Sequence, residues 1–408
     1  MSTTYNTDVC VAGGGPAGMV LGLLLVKLGV KVLVCEHHQD FQREYRGEVL
    51  MPRFTQMFRQ IGLFEIIEKS PHLKLTELEG YYRNGRVLDI HFQDIAPEAP
   101  FAIWMPQPIL LNALLDQAKH FSNFEMWFGA RVEGLIQEEG VTKGMFVHKE
   151  KENETVEVKA KVTVGTDGRF STLRKRGKFE LEYEDHTFDL LWFSIPKPPE
   201  YDNHVRFFFS PESNYLILPK YPDSIQCGLV IPKDGYAAYL KRGIESLRGV
   251  LLKSHPLFHQ FASELKNFSP FNVLQAKIEY VKKWARHGLI LVGDSAHTCS
   301  PAGAIGVSVA VATAIVAADV IYDCIKQEDY SENALSRVQK MREREVRHIQ
   351  TRQKAFSRLL LPAFSWFKIL TPTAFFLLTQ SGLFKKLQRD LMVMKKPLPI
   401  RPELSFRS

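Results

Sequence analysis

The sequence DVCVAGGGPAGMVLGLLLVKLGVKVLVCE, residues 8–36, decides the fold of this chain. It reads as a short apolar strand, a glycine-rich turn, a helix with an apolar face and a second apolar strand. The glycines follow the spacing Gly13-x-Gly15-x-x-Gly18 where strand meets helix, and a helix start of this kind binds phosphate groups. Glu36 ends the second strand, in the position of a ribose-binding carboxylate. We therefore predict a dinucleotide site formed by Gly13, Gly15, Pro16, Ala17, Gly18, Glu36 and His37.

A second glycine motif lies in the middle of the chain. Gly165-Thr166-Asp167-Gly168 follows an apolar stretch, residues 161–164, that reads as a strand. An isolated Asp-Gly pair usually marks only a turn. Ser171 and Arg174 follow closely, and they favour a structured loop and a helix start over a simple hairpin.

The third motif is Gly293-Asp294-Ser295-Ala296-His297, which follows a predicted strand over residues 288–292. Asp294 is well placed to bind ribityl hydroxyls, and the loop 303–308 can bring its N–H groups to the pyrimidine edge of a flavin. We interpret His297 as a structural hydrogen-bonding residue, because no nucleophile is paired with it in the sequence. Taken together, the order and spacing of the three motifs indicate bound FAD.

These motifs resemble those of the single-component FAD-dependent aromatic hydroxylases, the para-hydroxybenzoate hydroxylase-like group of flavoprotein monooxygenases. The resemblance extends from about residue 7 to residue 319. It implies that Arg46 lies near the flavin and the reducing nucleotide, that Gln107 contacts FAD, and that Asp167 is shared between the two. By the same resemblance, Gly293 and Asp294 bind the ribityl chain, and the loop beside the isoalloxazine contributes Pro301, Gly303, Gly306, Val307 and Ser308.

Two positions differ from the usual pattern of that group. Ser308 stands where the group usually has Asn, and Thr313 stands where it usually has Asp. Contacts made through the backbone are compatible with both changes. We therefore do not expect the Ser308 side chain to be a ligand.

The resemblance also implies a reaction. NADPH or NADH reduces FAD, the reduced flavin reacts with O2 to form a C4a-hydroperoxide, and one oxygen atom is inserted into an apolar, electron-rich aromatic or polyketide-like molecule. Because the chain shows no second dinucleotide fold, the reducing nucleotide should dock transiently near Arg46 and Asp167. Arg46 is the candidate catalytic residue for flavin reduction, and its alternative role is an ion pair with Glu48.

The expected fold class is mixed α/β: a Rossmann-like GR2-type FAD-binding domain with an inserted antiparallel substrate sheet and a C-terminal helical region. Strands are predicted at residues 189–195, 205–210, 214–218 and 225–231. Candidate substrate contacts on them are Trp192, Phe207, Phe209 and Tyr215. The expected division is 1–75, 101–180 and 276–330 for FAD binding, 76–100 and 181–275 for the substrate domain, and 331–408 for the helical region.

Composition narrows the function classes. The chain has 408 residues, 45% of them hydrophobic, and its five cysteines are scattered without metal-ligand spacing. No metal site is expected, and reduced thiols favour a cytoplasmic location. Residues 337–354 and 385–408 each carry seven basic and two acidic residues, while the remainder of the chain sums to −3. The net charge of +7 therefore does not indicate nucleic-acid binding, and 337–354 reads as a solvated helix.

Residues 359–378 are strongly apolar and rich in aromatic side chains, but Pro362, Lys368 and Pro372 interrupt them. One continuous spanning helix is therefore not expected. Packing over the substrate domain is the favoured interpretation. The alternative is a peripheral membrane contact, with the basic tail against anionic lipid.

Three other functions stay open at this point. A flavin-dependent halogenase is the main enzymatic alternative, since residues 191–196 and 47–52 distantly resemble halogenase segments, although Lys74 lacks the sequence context of the halogenase lysine. A prenyl-lipid or quinone-type flavin oxidoreductase would suit the apolar C-terminal region. A non-catalytic flavin-binding protein is favoured only by Ser308 and Thr313.

Overall fold

The computed structural model describes residues 3–42, 48–82, 85–209, 213–360 and 372–407. Arg46, the candidate catalytic residue, lies outside the described residues, and so does most of the apolar segment 359–378. The peripheral membrane contact proposed for that segment therefore stays a prediction.

The strands of the described residues are, in chain order, β1 (Thr4–Ala12), β2 (Val32–Cys35), β3 (Val49–Leu50), β4 (Leu73–Leu75), β5 (Glu77–Tyr82), β6 (Gly85–His91), β7 (Ala102–Trp104), β8 (Phe124–Trp127), β9 (Ala130–Glu138), β10 (Val141–Lys149), β11 (Glu154–Gly165), β12 (Leu181–Pro196), β13 (Val205–Phe209), β14 (Asn214–Lys220), β15 (Ser224–Pro232), β16 (Asn272–Val281), β17 (Ala285–Arg286), β18 (Leu289–Leu291) and β19 (His297–Thr298).

The α-helices of the described residues are α1 (Pro16–Lys27), α2 (Pro52–Gln60), α3 (Phe64–Lys69), α4 (Phe92–Ile95), α5 (Gln107–Ala118), α6 (Thr172–Arg176), α7 (Gly235–Arg242), α8 (Ile244–Ser254), α9 (His259–Glu264), α10 (Gly306–Gln327), α11 (Glu332–Leu335), α12 (Arg337–Leu360), α13 (Pro372–Gln380) and α14 (Gly382–Met392). Short 3-10 turns occur at Pro256–Phe258, Gly293–Ser295 and Pro402–Leu404.

The first sheet contains the strands that precede the three glycine motifs. Its order is β17-β18-β11-β1-β2-β8, and β9 and β10 extend it from β11. Strands β18, β11, β1, β2 and β8 run parallel to one another along this path, and β17 is antiparallel to β18. The carboxyl ends of β1, β11 and β18 therefore meet at one edge, and this places the three motifs together although they are far apart in the sequence.

Buried helices cover this sheet. Helix α1 is buried along nearly its whole length, from Ala17 to Val26, and it packs against α5 and α10. Helix α10 is long and apolar enough to cross a membrane, but 78% of its most apolar window is buried inside the protein. Burial of this kind is expected of a core helix, and it explains why α10 has small and apolar residues on all sides.

The second sheet has the order β19-β16-β12-β15-β14-β13-β5-β6. It is antiparallel except for the parallel pair β13 and β5. The four strands predicted in this region are present as β12–β15. Strand β12 is much longer than predicted and begins at Leu181, because its first half pairs with β16.

The mixed α/β fold class predicted from the sequence is confirmed. The proposed domain boundaries stay a prediction. The 180/181 boundary coincides with the start of β12, whereas the 275/276 boundary falls inside β16, which continues to Val281. A third sheet has three strands in the order β3-β7-β4.

The expectation of a solvated helix over residues 337–354 was wrong. Arg342, Val346, Ile349, Gln350 and Gln353 of α12 are buried. The helix is polar on average, but this face packs against the strand and loop that follow the third glycine motif. Buried glutamines on it bond backbone groups there, and sequence periodicity gives little signal for such a polar buried face.

The basic C-terminal tail packs against helices α2 and α10. Arg401 forms ion pairs with Asp319 and Asp323 of α10. Gln60 of α2 both accepts from and donates to the backbone of Leu398, at 2.9 and 2.7 Å. At least part of the positive charge of this tail is therefore neutralised within the protein.

Candidate functional site

A cavity of about 1130 Å³ extends from the carboxyl ends of β1 and β2 to the inner face of the second sheet. Ligand pockets for a single small molecule usually occupy roughly 300–1,000 Å³. The cavity is therefore large enough to be shared between a cofactor and a substrate. One end is lined by the glycine motifs and the other by apolar strand residues.

The first glycine loop has three structurally different glycines. Gly13 has a φ of +101°, and a Cβ atom there would lie 2.6 Å from the Thr166 carbonyl oxygen. A Cβ on Gly18 would lie 2.1 Å from the Gly13 carbonyl oxygen, so helix α1 packs directly on the loop. At Gly15, by contrast, a Cβ would meet no atom within 4 Å. Gly13 and Gly18 permit close packing, while Gly15 borders open cavity space.

Glu36 ties this loop to the end of β2. Its carboxylate accepts hydrogen bonds from the backbone N–H of Gly14 at 2.8 Å and of His38 at 3.2 Å. Glu36 is 1% exposed and borders the cavity. His37 Nδ1 lies 3.1 Å from the same carboxylate. The acid therefore shapes the loop and also presents negative charge to this end of the cavity.

Asp167 of the second motif is fixed by the helix that follows it. Its carboxylate accepts from the N–H groups of Thr172 and Leu173, at 2.7 and 3.1 Å, and from the Ser171 hydroxyl at 2.5 Å. Ser171 in turn accepts from the N–H of Arg174 and caps α6. Asp167 also borders the cavity. Its first structural function is therefore to organise the turn between β11 and α6.

Ser295 joins the second motif to the third. Its hydroxyl accepts from the N–H of Gly168 at 3.2 Å and donates to Asp167 at 3.3 Å. Asp294, next to it, lies 3.5 Å from Arg169 and borders the cavity. The sequence pattern did not indicate a role for Ser295. The signal available was its place inside the motif, but its partner is 128 residues away in sequence.

The loop over residues 299–305 is held from behind by Gln353 of α12. The Gln353 side chain accepts from the N–H of Ser300 at 3.1 Å and donates to the carbonyls of Ser300 and Ala302, at 2.8 and 2.7 Å. Ala304 has a φ of +51°, which is uncommon for a residue with a side chain. The loop ends at Gly306, where α10 begins and directs its positive dipole end toward the cavity.

Glu48 lines the same cavity, beside Gln107. Burial raises the pKa of the Glu48 carboxyl to about 7, and Lys220 and the N–H of Gln107 reduce the rise. Its Oε2 atom is buried and has no hydrogen-bond partner among the described residues. Gln107 is the first residue of α5 and borders the cavity. A protonated Glu48 would be a neutral hydrogen-bond donor in this wall.

The second sheet supplies the apolar wall of the cavity. Leu190 and Trp192 of β12 face the main core, whereas Leu191 and Phe193 between them face a separate cluster under α8 and α9. Phe207 and Phe209 likewise share one face, with their ring planes within 10° and their centroids 6.2 Å apart. The cavity-lining residues contributed by β5, β6, β13 and β14, as far as these strands are described, include no charged side chain.

Tyr215 differs from the other three candidate substrate contacts. It borders the cavity, but its side chain belongs to the cluster on the far face of the sheet. Its ring stacks on Phe208 at 4.8 Å and its hydroxyl donates to the Ser254 carbonyl at 2.6 Å. The Tyr215 hydroxyl is therefore already used in packing α8 against the sheet.

The C-terminal helix α14 completes the cavity wall. Gln388 and Met392 line the cavity, and Leu391 Cδ1 lies 3.9 Å from where a Cβ on Gly303 would be. Helix α13 packs beside β6, and the Thr379 hydroxyl is hydrogen-bonded to the Val87 carbonyl. The sequence pattern left open how the C-terminal region packs, and it did not single out Gln388 or Met392.

The structure brings most of the predicted cofactor residues to one cavity. Those that line it are Gly13, Gly15, Pro16, Ala17, Glu36, His37, Gln107, Asp167, Asp294, Pro301, Gly303, Gly306 and Val307. Three others pack behind the lining: Gly18, Gly293 and Ser308. A Cβ on Gly293 would lie 3.1 Å from the Ala310 Cβ, and Ser308 is 1% exposed with no hydrogen-bond partner for its hydroxyl among the described residues.

His297 is buried and hydrogen-bonded, which agrees with its interpretation as a structural hydrogen-bonding residue. Its Nε2 lies 2.9 Å from the Thr313 hydroxyl, which donates onward to the Val309 carbonyl at 3.1 Å. Burial, reinforced by the positive charge of Arg342, lowers the pKa of His297 to about 3. The imidazole is therefore neutral at physiological pH.

The cavity fits a flavin nucleotide by its own chemistry. Open space faces Gly15 at a helix N-terminus, a carboxylate lies at the end of β2, and a second helix N-terminus faces the same cavity at Gly306. Residues 6–349 match the FAD binding domain family. The chain belongs to this family. It is an FAD-dependent monooxygenase, and named monooxygenases are among the relatives that match most of its length.

One relative is 6-methylpretetramide 4-monooxygenase from Streptomyces rimosus. It is 29% identical over 404 residues, which cover 98% of this chain and 95% of the relative. A second relative is a 1H-pyrrole-2-carbonyl-[peptidyl-carrier protein] chlorinase from Pseudomonas fluorescens. It is 26% identical and covers 83% of this chain and 80% of the relative. The relatives of this chain thus include both a named monooxygenase and a named halogenating enzyme.

Solved structures agree on the fold. The crystal structure of p-nitrophenol 4-monooxygenase PnpA from Pseudomonas putida DLL-E4 matches with a TM-score of 0.78. The match covers 96% of this chain and 97% of that chain at 18% identity. Such a likeness supports the arrangement of the two large sheets but does not identify a substrate.

Proposed function

We propose that this monooxygenase inserts one oxygen atom from O2 into a neutral, electron-rich aromatic compound of polyketide type, with NADPH or NADH as the electron donor. The observation that carries the proposal is the aromatic-rich part of the cavity wall formed by β5, β6, β13 and β14, whose described lining residues include no charged side chain. A strongly anionic substrate would require paired cations there, because an unpaired buried charge is costly.

The similarity to 6-methylpretetramide 4-monooxygenase supports the same substrate class. The name of that relative describes its own substrate, and the transfer to this chain rests on the shape and polarity of the cavity. Leu78, Leu88, Leu190, Trp192 and Phe209 line the cavity, and they suit several fused rings better than a single polar ring.

For the cofactor, we propose that the glycine loop at residues 13–18 holds the pyrophosphate and Glu36 the adenosine ribose. Asp294 would hold the ribityl chain, and the loop 301–307 would bind the edge of the isoalloxazine. The support is their position on one continuous cavity wall. The N-terminus of α10 would stabilise the negative charge that develops at the flavin edge on reduction.

The bound flavin supplies the redox chemistry and the activation of O2. The residues of the chain orient the two ligands and exclude water. We propose that the reducing nucleotide docks near Asp167 and Arg46. Replacing Arg46 by Met should slow flavin reduction by NADPH, whereas replacing it by Lys should preserve part of the rate.

The test follows nucleotide oxidation and the flavin spectrum of the FAD-loaded protein under air, with a panel of neutral aromatic compounds. We expect one compound to accelerate oxidation and to yield a product heavier by one oxygen atom. Flavin reduction that no panel compound accelerates would contradict the proposed substrate class.

The five cysteines, all free and buried, support our proposal of a cytoplasmic location.

Halogenation is the second candidate function, because the relatives include a carrier-protein chlorinase. Against it, Lys74 Nζ lies 4.6 Å from the centroid of the Phe101 ring, and Lys74 is not among the residues that line the cavity. The same assay with added chloride or bromide separates the two functions. A halogenated product would favour the second candidate, and a hydroxylated product would favour the first.

A further inference from the structure

Helix α14 closes the cavity next to the loop 299–305. Phe384, Leu391 and Met392 of α14 are buried, and the Leu391 carbonyl accepts a hydrogen bond from the buried Arg53 side chain at 3.0 Å. The helix is therefore anchored in the core. Its position next to Gly303 puts it beside the loop proposed to bind the flavin edge.

Gln388 is a polar residue that α14 presents to the cavity. Its side chain is 3% exposed and lines the cavity together with Met392, four residues later on the same face of the helix. The Gln388 side-chain nitrogen is buried and has no hydrogen-bond partner among the described residues. Buried polar groups are nearly always hydrogen-bonded in proteins, and an unsatisfied one costs free energy.

The neighbours of Gln388 do not remove this deficit. Arg389, next to it, is exposed, and Asp390 pairs with Arg352 and Lys395. The sheet side of the cavity is lined largely by leucine, isoleucine and aromatic side chains. Among the described residues no partner is available to the Gln388 amide nitrogen, and a molecule inside the cavity that Gln388 lines would supply one.

We propose that the Gln388 side-chain amide donates a hydrogen bond to an oxygen atom of the aromatic substrate, a carbonyl or phenolic oxygen, and thereby orients the ring toward the flavin edge. This inference rests on the proposed function, since it assumes that the apolar half of the cavity holds the substrate. A neutral donor suits a neutral oxygen, because no charge has to be buried. Gln388 is thus a positioning and specificity residue.

The chemistry of the contact predicts discrimination. A cavity that offers a buried donor rejects a ligand without an acceptor, because the donor then stays unpaired. Two small probes differ only in this respect: 1-naphthol carries an oxygen atom and naphthalene does not. The holoenzyme should bind 1-naphthol more tightly, by roughly 3- to 10-fold, the size expected for one neutral hydrogen bond.

The experiment titrates FAD-loaded protein with each probe and follows the flavin difference spectrum. In Gln388→Met, which has similar volume and no donor, we expect the preference for 1-naphthol to disappear. Gln388→Asn is the second variant, for use if the Met variant folds poorly. It keeps an amide donor and should retain part of the preference for 1-naphthol. Arg389→Met on the exposed side of the same helix is the matched control and should keep the full preference.

The proposal is overturned if the wild-type holoenzyme binds the two probes equally or shows no affinity for 1-naphthol. It is also overturned if Gln388→Met retains the preference, or if that variant changes only FAD affinity, which would place the amide on the flavin instead. Binding is measured without turnover. Absence of any oxygenated product alongside an intact probe preference would therefore contradict the proposed function and leave this inference standing.

Discussion

His297 donates its Nε2 hydrogen to the hydroxyl of Thr313 across 2.9 Å of the protein interior. The direction follows from the next bond, in which Thr313 donates its own hydrogen to the Val309 carbonyl. The contact connects the third glycine motif to the third turn of α10. It also explains one departure from the family pattern, since the residue at position 313 has a buried partner that a threonine hydroxyl satisfies.

Replacing Thr313 by Val should destabilise the protein by about 1–3 kcal/mol, because the His297 N–H would stay buried without an acceptor. Thr313→Ser keeps the hydroxyl and is the matched control, with a smaller loss from the missing methyl group. Urea unfolding of the FAD-loaded proteins at pH 7 measures both. Equal stabilities for the Val and Ser variants would show that the hydrogen bond contributes little.

The buried His297 should make the protein sensitive to acid. Its pKa is about 3 in the folded protein, lowered by burial and by Arg342, and about 6.5 in the unfolded chain. The unfolded state therefore takes up a proton below pH 6.5 that the folded state refuses, and stability falls as the pH decreases toward 3. Between pH 7 and pH 5 the expected loss from this group is about 2 kcal/mol.

His297→Gln should remove that part of the pH dependence, whatever its effect on absolute stability. His120, an exposed histidine, provides the control, and His120→Gln should leave the slope unchanged. Free energies of unfolding at several pH values between 5 and 7 give the slopes. Parallel slopes for wild type and His297→Gln would contradict the assignment of the acid sensitivity to His297.

Gly15 and Gly18 of the first loop should respond differently to substitution. Gly18→Ala places a methyl group 2.1 Å from the Gly13 carbonyl, so we expect a poorly folded protein. Gly15→Ala meets no atom within 4 Å, and its fold should be preserved. Gly15→Glu should fold but lose FAD, because a carboxylate would face the pyrophosphate. Circular dichroism and the flavin content per protein distinguish these outcomes, and a fully yellow Gly15→Glu protein would sink the assignment of the loop.

The buried Glu48 should make the flavin-free protein less stable as the pH rises, which is the opposite of the effect expected from His297. Burial raises its folded-state pKa to about 7, above the unfolded value of about 4.3. The carboxyl is neutral in both states at low pH. As the pH rises through the window from 4.3 to 7, ionisation favours the unfolded chain, and stability falls by on the order of 3 kcal/mol before it levels.

Glu48→Gln should therefore gain stability relative to wild type between pH 4.5 and pH 8. Glu152→Gln, a change in an exposed turn, is the matched control with no expected gain. The measurement is urea unfolding of flavin-free protein at the two pH values. A constant difference between Glu48→Gln and wild type at both would show that Glu48 ionises as freely in the folded protein as in the unfolded chain.

Local sequence pattern was sufficient for the elements that carry the cofactor site. The helix predicted at 17–28 is observed as Pro16–Lys27, and the strand predicted at 161–164 is the end of Glu154–Gly165. Apolar runs bounded by glycine give a clear signal, because parallel strands are buried on both faces. Local spacing was therefore enough to predict the fold class and the dinucleotide loop.

Pairing over long distances could not be predicted in the same way. Gln353, Gln388 and Arg342 are polar residues in helices, and the pattern around 337–354 indicated a solvated helix. Gln353 is buried against the loop 299–302, and Gln388 is buried at the cavity wall. Both surfaces form only after the chain has folded. Polar burial depends on partners distant in sequence, and hydrophobic periodicity does not report them.

The sequence by itself determined that this chain binds FAD on a mixed α/β fold, because glycines, strand and acid have to occur at fixed local spacings for a phosphate-binding turn to form. Only the tertiary structure decided which side chains surround the substrate space. The second sheet turns Trp192 toward the cavity and Phe193 away from it, and α14 returns from the far end of the chain to bring Gln388 beside the loop at Gly303. The alternation of faces and the docking of a distant helix are set by packing, which no local spacing encodes.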